Sequence, residues 1–240
     1  MSTPAAAPVT ATAARCHAVV PCAGVGSRMG LAQPKQYASV QGLPVVQHTL
    51  RALRGVAHIE RLVVVLAPND RHAMDWPSDC EILRQGGATR ADSVGAGLAH
   101  LLSTGAEAND WVLVHDAARC LATSALIGRL LEACWHDPVG GLLALPLADT
   151  LKRANTEQRA VETPSRDQLW LAQTPQMFRL GALHQALAEV GAGVTDEASA
   201  MQAKGLAPRL VTGDPSNIKI TTPADLALAH AWLAMQQETS

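Results

Sequence analysis

The stretch CHAVVPCAGVGSRMG, residues 16–30, decides the fold of this chain. It opens as a short apolar run typical of a β-strand buried on both faces, and it continues with small residues that let backbone N–H groups approach a phosphate. A dinucleotide-binding G-x-G-x-x-G starting at Gly24 would need glycine where Met29 stands, and the G-K-S/T of a Walker loop is absent. The stretch therefore predicts a strand followed by an anion-binding turn, with an ordinary tight turn as the alternative.

Beyond this stretch, apolar runs alternate with amphipathic ones, and such alternation predicts an open α/β sheet with ligands beyond the carboxyl ends of its strands. Continuous Val/Leu runs favour parallel strands that helices cover on both faces. The predicted strands cover residues 17–22, 61–67, 81–85, 111–116, 141–147 and 209–212. The predicted helices cover residues 44–54, 90–102, 124–135, 180–190, 195–204 and 223–235.

Composition excludes several classes of protein. The 240 residues carry 19 Lys+Arg against 21 Asp+Glu, so no overall basic field favours nucleic acid or an acidic membrane. Aromatic residues make up only 3%, which disfavours a base-stacking surface, and no apolar run reaches the ~20 residues of a membrane span. Five cysteines without C-x-x-C spacing indicate neither disulfides nor structural zinc. We expect a cytoplasmic protein that binds neither nucleic acid nor membrane.

Two segments depart from the alternating pattern. Residues 1–14 are mostly Ala, Thr and Pro and predict a disordered tail, which leaves 15–240 as one domain. Residues 148–168 are polar without a sustained apolar period. A polar excursion of this length inside a compact domain is typical of a functional loop, a protruding arm or a disordered segment.

Three further motifs could carry chemistry, and each has a structural alternative. GGATRADSV, residues 86–94, places a Gly-Gly turn before a helix whose N-terminus favours anions, although Thr89 or Asp92 could simply cap it. Asp116 follows an apolar strand, where a carboxylate suits Mg²⁺, but it could instead pair with Arg119. Lys219 precedes the last helix and could be an exposed strand-edge lysine.

Together these motifs resemble the 2-C-methyl-D-erythritol 4-phosphate cytidylyltransferase family of the non-mevalonate isoprenoid pathway. The resemblance runs over nearly the whole chain and is carried by several motifs in order: VVPCAGVGSRMG with PKQY, GGATRADSV, VLVHDAAR, DTLKR, SRDQLWLAQTPQMF, TDEASA and NIKIT. It implies a Rossmann-like nucleotidyltransferase of three α/β/α layers. It also implies a Mg²⁺-dependent reaction of CTP with 2-C-methyl-D-erythritol 4-phosphate that releases pyrophosphate.

The resemblance also implies residue roles, by position within the motifs. Residues matched to catalysis are Arg28, Lys35, Arg166 and Lys219. Residues matched to CTP are Cys22, Ala23, Gly24, Gly26, Gly87, Ala88, Arg90, Ser93 and Asp116, of which Asp116 is also the expected metal ligand. Residues matched to the acceptor phosphate are Arg119, Thr150 and Thr174.

The polar segment would then be a β-arm that interlocks two subunits of a homodimer, so that Thr150 and Arg166 enter the partner's active site. This sequence departs from the family in having Cys22 where alanine is usual and Cys120 where proline is usual. Two alternatives stay open: a related cytidylyltransferase for a polyol phosphate such as ribitol 5-phosphate, and a non-catalytic nucleotide-binding protein with the same fold.

Overall fold

A computed structural model describes residues 14–24, 33–72 and 74–238 of the chain. Within these ranges, seven strands form the central sheet: β1 (Cys16–Pro21), β4 (Ile59–Val65), β5 (Cys80–Leu83), β6 (Trp111–Val114), β7 (Gly140–Pro146), β10 (Trp170–Arg179) and β11 (Arg209–Thr212). Their order across the sheet is β11-β7-β10-β6-β1-β4-β5. Two small hairpins pair β2 (Ser39–Val40) with β3 (Leu43–Pro44) and β8 (Arg153–Ala154) with β9 (Ala160–Glu162).

Helices cover both faces of this sheet, as the sequence predicts. They are α1 (Val45–Arg54), α2 (Arg90–Ser103), α3 (Ser124–Cys134), α4 (Leu180–Val190), α5 (Glu197–Ala203) and α6 (Pro223–Glu238). Side chains of α1 and α3 pack in one apolar cluster with Ala18 and Val20 of β1, and those of α2, α4 and α5 pack in another with Val19. Because neighbouring strand residues point to opposite faces, both faces are buried, and the three-layer α/β/α prediction is confirmed.

The six predicted strands run parallel to one another, but the sheet also contains a seventh strand of opposite direction. β10, which the strand prediction omits, lies between β6 and β7 and runs antiparallel to both. Its middle contains Pro175, which cannot donate a ladder hydrogen bond and disfavours a strand assignment from sequence. The ladder to β7 is irregular at that point, between Ala172 and Gln176.

The six predicted strands and six predicted helices are otherwise confirmed, with shifted ends. The largest helical shift is at α6, which ends at Glu238 instead of residue 235, and α5 begins at Glu197 instead of residue 195. Asp196 accepts a hydrogen bond from the backbone N–H of Ser199 and is therefore the N-cap, the residue immediately before the helix. None of the helices in the described ranges is long and apolar enough to cross a membrane.

The polar segment at 148–168 contains the β8–β9 hairpin, which is separate from the central sheet. All residues of both strands are exposed. The arm is thus a two-stranded structure, while the predicted tail at 1–14 lies outside the described residues apart from its last residue.

Candidate active site

A cleft of about 280 Å³ opens at the carboxyl ends of β1 and β6. It brings together ten of the predicted site residues from five separate segments of the chain. These are Cys22, Ala23, Gly24, Lys35, Gly87, Ala88, Arg90, Ser93, Asp116 and Lys219. Gln36, Thr89 and Ala117 are among the lining residues that were not predicted. Gly26 and Arg28 lie outside the described residues.

Asp116 carries the negative charge of the cleft and is surrounded by cations. Its Oδ1 accepts a hydrogen bond from Arg90 Nε at 2.8 Å, and its Oδ2 lies 2.8 Å from Lys219 Nζ and 3.7 Å from Arg119 Nε. Burial acts to raise the pKa of Asp116, but the charges of Arg90, Lys219 and Arg119 outweigh it and hold the pKa far below its ordinary value. Asp116 is therefore an ionised carboxylate, and its predicted pairing with Arg119 is one of three.

Lys219 lines the cleft and contributes a positive charge to it. Its Nζ is one of the groups that bind Asp116. Residue 219 lies in a loop between β11 and α6, outside any strand, so the strand-edge interpretation is wrong. The same loop also receives Lys35, whose Nζ donates to the backbone oxygen of Ile220 at 2.7 Å. The two lysines therefore reach the cleft from segments about 180 residues apart along the sequence.

The segment PKQY orders the entrance to the glycine-rich turn. Gln36 is buried, and its Nε2 donates to the backbone oxygens of Cys22 at 3.1 Å and Gly24 at 2.9 Å. The next residue, Tyr37, donates its hydroxyl to Asp70 Oδ2 at 2.6 Å. Gln36 therefore holds the chain on both sides of residue 23, where the turn leaves β1.

The Gly-Gly turn forms another wall of the cleft by close packing. A Cβ added at Gly86 would lie 2.4 Å from the Cβ of Ala23 and 2.8 Å from the backbone oxygen of Leu66. Thr89 and Asp92 form a reciprocal capping box at the start of α2. The capping alternative is thus confirmed, and Gly87, Ala88 and Ser93 nevertheless line the cleft.

Thr174 and Arg119, both predicted to bind the acceptor, lie outside the cleft lining. Thr174 is buried, and its Oγ1 accepts a hydrogen bond from the backbone N–H of Asp116 at 3.0 Å. It also lies 2.9 Å from Nδ1 of His115, whose pKa is lowered to about 4 by burial, so this imidazole is neutral and structural. Arg119 donates from Nη1 to the backbone oxygen of Asn217 at 2.5 Å.

Thr150 and Arg166 are exposed on the arm and do not line the cleft. The guanidinium of Arg166 donates to the backbone oxygen of Ala148, at the other side of the arm's base. Cys22 is buried in the cleft wall, and burial raises its pKa, so it is a small neutral thiol. Cys120 packs in the apolar cluster near Val40.

Sequence reasoning assigned no role to the glutamines of β10, which connect several parts of the site. Gln173 Nε2 donates to the backbone oxygen of Asp214 at 2.8 Å, within the loop that leads to Lys219. Gln176 Nε2 donates to Asp196 Oδ2 at 2.8 Å, and its Oε1 accepts from the backbone N–H of Ala198 at 2.7 Å. The motif QTPQ contains both glutamines, but their partners are distant in sequence.

A mixed α/β sheet covered by helices on both faces, with a glycine-lined and lysine-bearing cleft at its carboxyl edge, defines a Rossmann-like nucleotidyltransferase. The profile of the 2-C-methyl-D-erythritol 4-phosphate cytidylyltransferase family matches residues 16–235. The chain belongs to this family. Its members are nucleotidyltransferases that join CTP and 2-C-methyl-D-erythritol 4-phosphate in the non-mevalonate pathway, and the resemblance stated above is confirmed.

Individual relatives agree. The chain is 56% identical over 226 residues to 2-C-methyl-D-erythritol 4-phosphate cytidylyltransferase of Laribacter hongkongensis, a match that covers 92% of this chain and 97% of the relative. A crystal structure of a 4-diphosphocytidyl-2C-methyl-D-erythritol synthase superposes with a TM-score of 0.82 at 39% identity, covering 92% and 99% of the two chains. The Francisella tularensis enzyme superposes with a TM-score of 0.76 at 33% identity, covering 91% and 99%.

Proposed function

We propose that this cleft transfers a cytidylyl group from CTP to the phosphate of 2-C-methyl-D-erythritol 4-phosphate, that the reaction requires Mg²⁺, and that the working unit is a homodimer. The observation that carries the proposal is the meeting of Lys35, Lys219 and the ionised Asp116 in one cleft beside residues 22–24, where the predicted anion-binding turn begins. A degenerate nucleotide-binding protein would have no need to retain these charges together.

The reaction is an in-line displacement. An oxygen of the acceptor phosphate forms a bond to the α-phosphorus of CTP, the bond to the bridging oxygen breaks, and the electron pair leaves with pyrophosphate. The second pKa of a phosphate monoester is ~6, so the attacking oxygen is already anionic near neutral pH and needs no strong general base. The main obstacle is repulsion between two anions, which positioning and fixed positive charge reduce.

Lys35 and Lys219 are the described cations best placed to reduce this repulsion. Both line the cleft, and each ammonium group is held at 2.7–2.8 Å by a backbone oxygen or by Asp116. We assign Lys35 to the triphosphate and Lys219 to the attacking oxygen. Arg28 remains a proposed phosphate ligand on the resemblance alone.

The described residues fit a magnesium ion that is held mainly by substrate. Asp116 is ionised and lines the cleft, and Mg²⁺ in proteins is commonly bound by one or two carboxylates together with substrate phosphates and water. Within the described ranges, no group of three or more His, Cys, Asp and Glu side chains could hold a metal without substrate. When bound, the ion neutralises charge on the triphosphate.

The identity of the acceptor can be tested directly. Purified protein with Mg²⁺ is given each of the four nucleoside triphosphates with 2-C-methyl-D-erythritol 4-phosphate or ribitol 5-phosphate, and pyrophosphate release is measured. We expect rapid release only with CTP and the methylerythritol phosphate. Turnover with ribitol 5-phosphate instead would favour the related polyol-phosphate enzyme, and CTP binding without turnover would favour a non-catalytic protein.

The homodimer rests on the arm. Thr150 and Arg166 do not line the cleft of their own subunit, and the arm and its base expose apolar side chains, including Val161 at 59% and Leu171 at 52%. An arm that docks on a second copy would cover this surface and deliver Arg166 to the acceptor phosphate, where a guanidinium can bind bidentately.

Mixed dimers of two inactive variants test whether Arg166 acts across subunits. If it does, a dimer of Lys35→Ala and Arg166→Ala subunits has one site with both defects and one with neither. Random mixing should therefore restore about a quarter of the wild-type activity, because about half of the dimers are mixed and each has one intact site. If each arm served its own subunit, every site would be defective and no activity would return.

A further inference from the structure

Glu197, the first residue of α5, has no assigned role in the reaction. Its side chain is 1% exposed, and both of its oxygens bind the same guanidinium: Oε1 accepts from Arg90 Nη1 at 2.6 Å and Oε2 from Nη2 at 3.0 Å. A buried charge is costly unless it is paired and hydrogen-bonded, so this two-point contact is a built feature of the site.

Arg90 connects this carboxylate to the cleft. Its Nη1 and Nη2 bind Glu197, and its remaining nitrogen, Nε, binds Oδ1 of Asp116 at 2.8 Å. Oδ2 of Asp116 then pairs with Lys219. The four side chains therefore form a row of alternating charge that runs from buried α5 to the lysine in the cleft.

The buried end of this row is held rigidly. Asp196 and Ser199 form a capping box at the start of α5. Gln176 binds both Asp196 Oδ2 and the backbone N–H of Ala198, on either side of Glu197. Gln176 itself pairs with Val114 at the end of β6, two residues before Asp116. One backbone framework therefore fixes the position of Glu197 relative to Asp116.

We infer that Glu197 is a positioning residue for nucleotidyl transfer, acting through Arg90 without touching substrate. Glu197 holds two of the three guanidinium nitrogens and thereby keeps Arg90 directed at Asp116. A released guanidinium at the cleft wall would bind the phosphates of the nucleotide in competition with Lys35 and Lys219. The assignment rests on the proposed function, and it changes the expected role of Arg90 from a direct CTP ligand to a support for Asp116.

The first test is Glu197→Gln, which keeps the shape of the side chain but removes its charge. We expect kcat to fall ~10- to 100-fold, the scale on which residues that orient active-site ligands act. We expect the KM for CTP to stay unchanged or fall, because Arg90 is freed toward the phosphates. Unchanged kcat, or a raised KM for CTP with normal kcat, would overturn the inference.

A purely structural role is excluded by measuring the concentration of folded sites. Each preparation is titrated with CTP in the absence of acceptor, and kcat is expressed per binding site. Loss of folding alone would lower the number of sites and leave kcat per site normal, which would count against the inference. The matched control is Glu189→Gln, which removes an exposed carboxylate that binds Lys204 at the surface. We expect this control to keep wild-type kcat.

A double-mutant cycle tests whether Glu197 acts through Arg90. If it does, adding Glu197→Gln to Arg90→Met causes no further loss of kcat per site, whereas independent effects would multiply. If Glu197→Gln does not fold, Glu197→Asp is measured in its place, since a carboxylate one methylene shorter keeps the charge but cannot reach both nitrogens in the same way. Wild-type kcat per site in that variant would overturn the inference.

The inference and the proposed function fail in different ways. Absence of cytidylyl transfer by the wild-type protein would refute the function. Normal turnover by the Glu197 variants, measured with whichever acceptor the wild type uses, would refute only the positioning role.

Discussion

The substitution Asp110→Asn tests how a buried carboxylate stabilises the amino ends of the central strands β1 and β6, at the opposite end from the cleft. Asp110 is 2% exposed and accepts four hydrogen bonds. The donors are the backbone N–H groups of Arg15 at 3.0 Å and Glu107 at 2.8 Å, the guanidinium of Arg15 at 2.9 Å, and His17 Nε2 at 3.1 Å. Burial acts to raise the pKa of Asp110, but these contacts outweigh it and lower the pKa to about 2.

The lowered pKa sets the size and sign of the effect. A pKa that folding lowers from 3.8 to about 2 corresponds to about 2–3 kcal/mol, at ~1.4 kcal/mol per unit. Because the folded-state value is the lower one, this stability is fully present above about pH 4 and is lost as the pH falls toward 2. We therefore expect Asp110→Asn to lower the free energy of unfolding by about 2–3 kcal/mol at pH 7, and by about half of that at pH 3.

Urea unfolding of the wild type and the variant at the two pH values measures this difference. Asp75→Asn is the control, because Asp75 is exposed, and we expect less than about 0.5 kcal/mol there. A difference for Asp110→Asn that is the same at pH 7 and pH 3 would refute the ionic explanation. A difference below that of the control would refute any stabilising role.

Three other substitutions test packing and the cleft. Gly97→Ala places a Cβ 2.6 Å from Cγ1 of buried Val19, so we expect about 1–3 kcal/mol lower stability in urea unfolding, and wild-type stability would contradict the packing argument. Gln36→Glu removes the amide donor that binds two backbone oxygens, and we expect kcat/KM for CTP to fall ~10-fold or more, whereas Gln47→Glu on α1 should leave it normal. Lys219→Ala should lower kcat ~10²-fold with little change in circular dichroism, and near-normal pyrophosphate release would refute its role.

Much of the fold could be predicted because its signals are local. The run Leu62–Val65 has the continuous apolar character of a strand buried on both faces, and it forms the second half of β4. β10 could not be predicted in the same way, because Pro175 and the polar residues around it disfavour a strand. Hydrogen bonds from β6 and β7 on either side outweigh that local preference.

The candidate site was predicted as separate pieces. Lys35 and Asp116 each belong to a recognisable motif, but neither motif indicates that both side chains reach one cleft with Lys219. Thr174 belongs to a quoted motif, yet its hydroxyl supports the backbone of Asp116 instead of lining the cleft. Such assignments depend on distances between segments that no local pattern contains.

The amino-acid sequence by itself determined the alternation of strands and helices and marked the segment at 148–168 as a polar excursion, because periodicity and polarity act over a few neighbouring residues. The tertiary structure alone decided that β10 runs antiparallel and that Glu197, Arg90, Asp116 and Lys219 form one row of alternating charge. Those four side chains come from segments up to 129 residues apart, and only the packed sheet brings their charges within hydrogen-bonding distance.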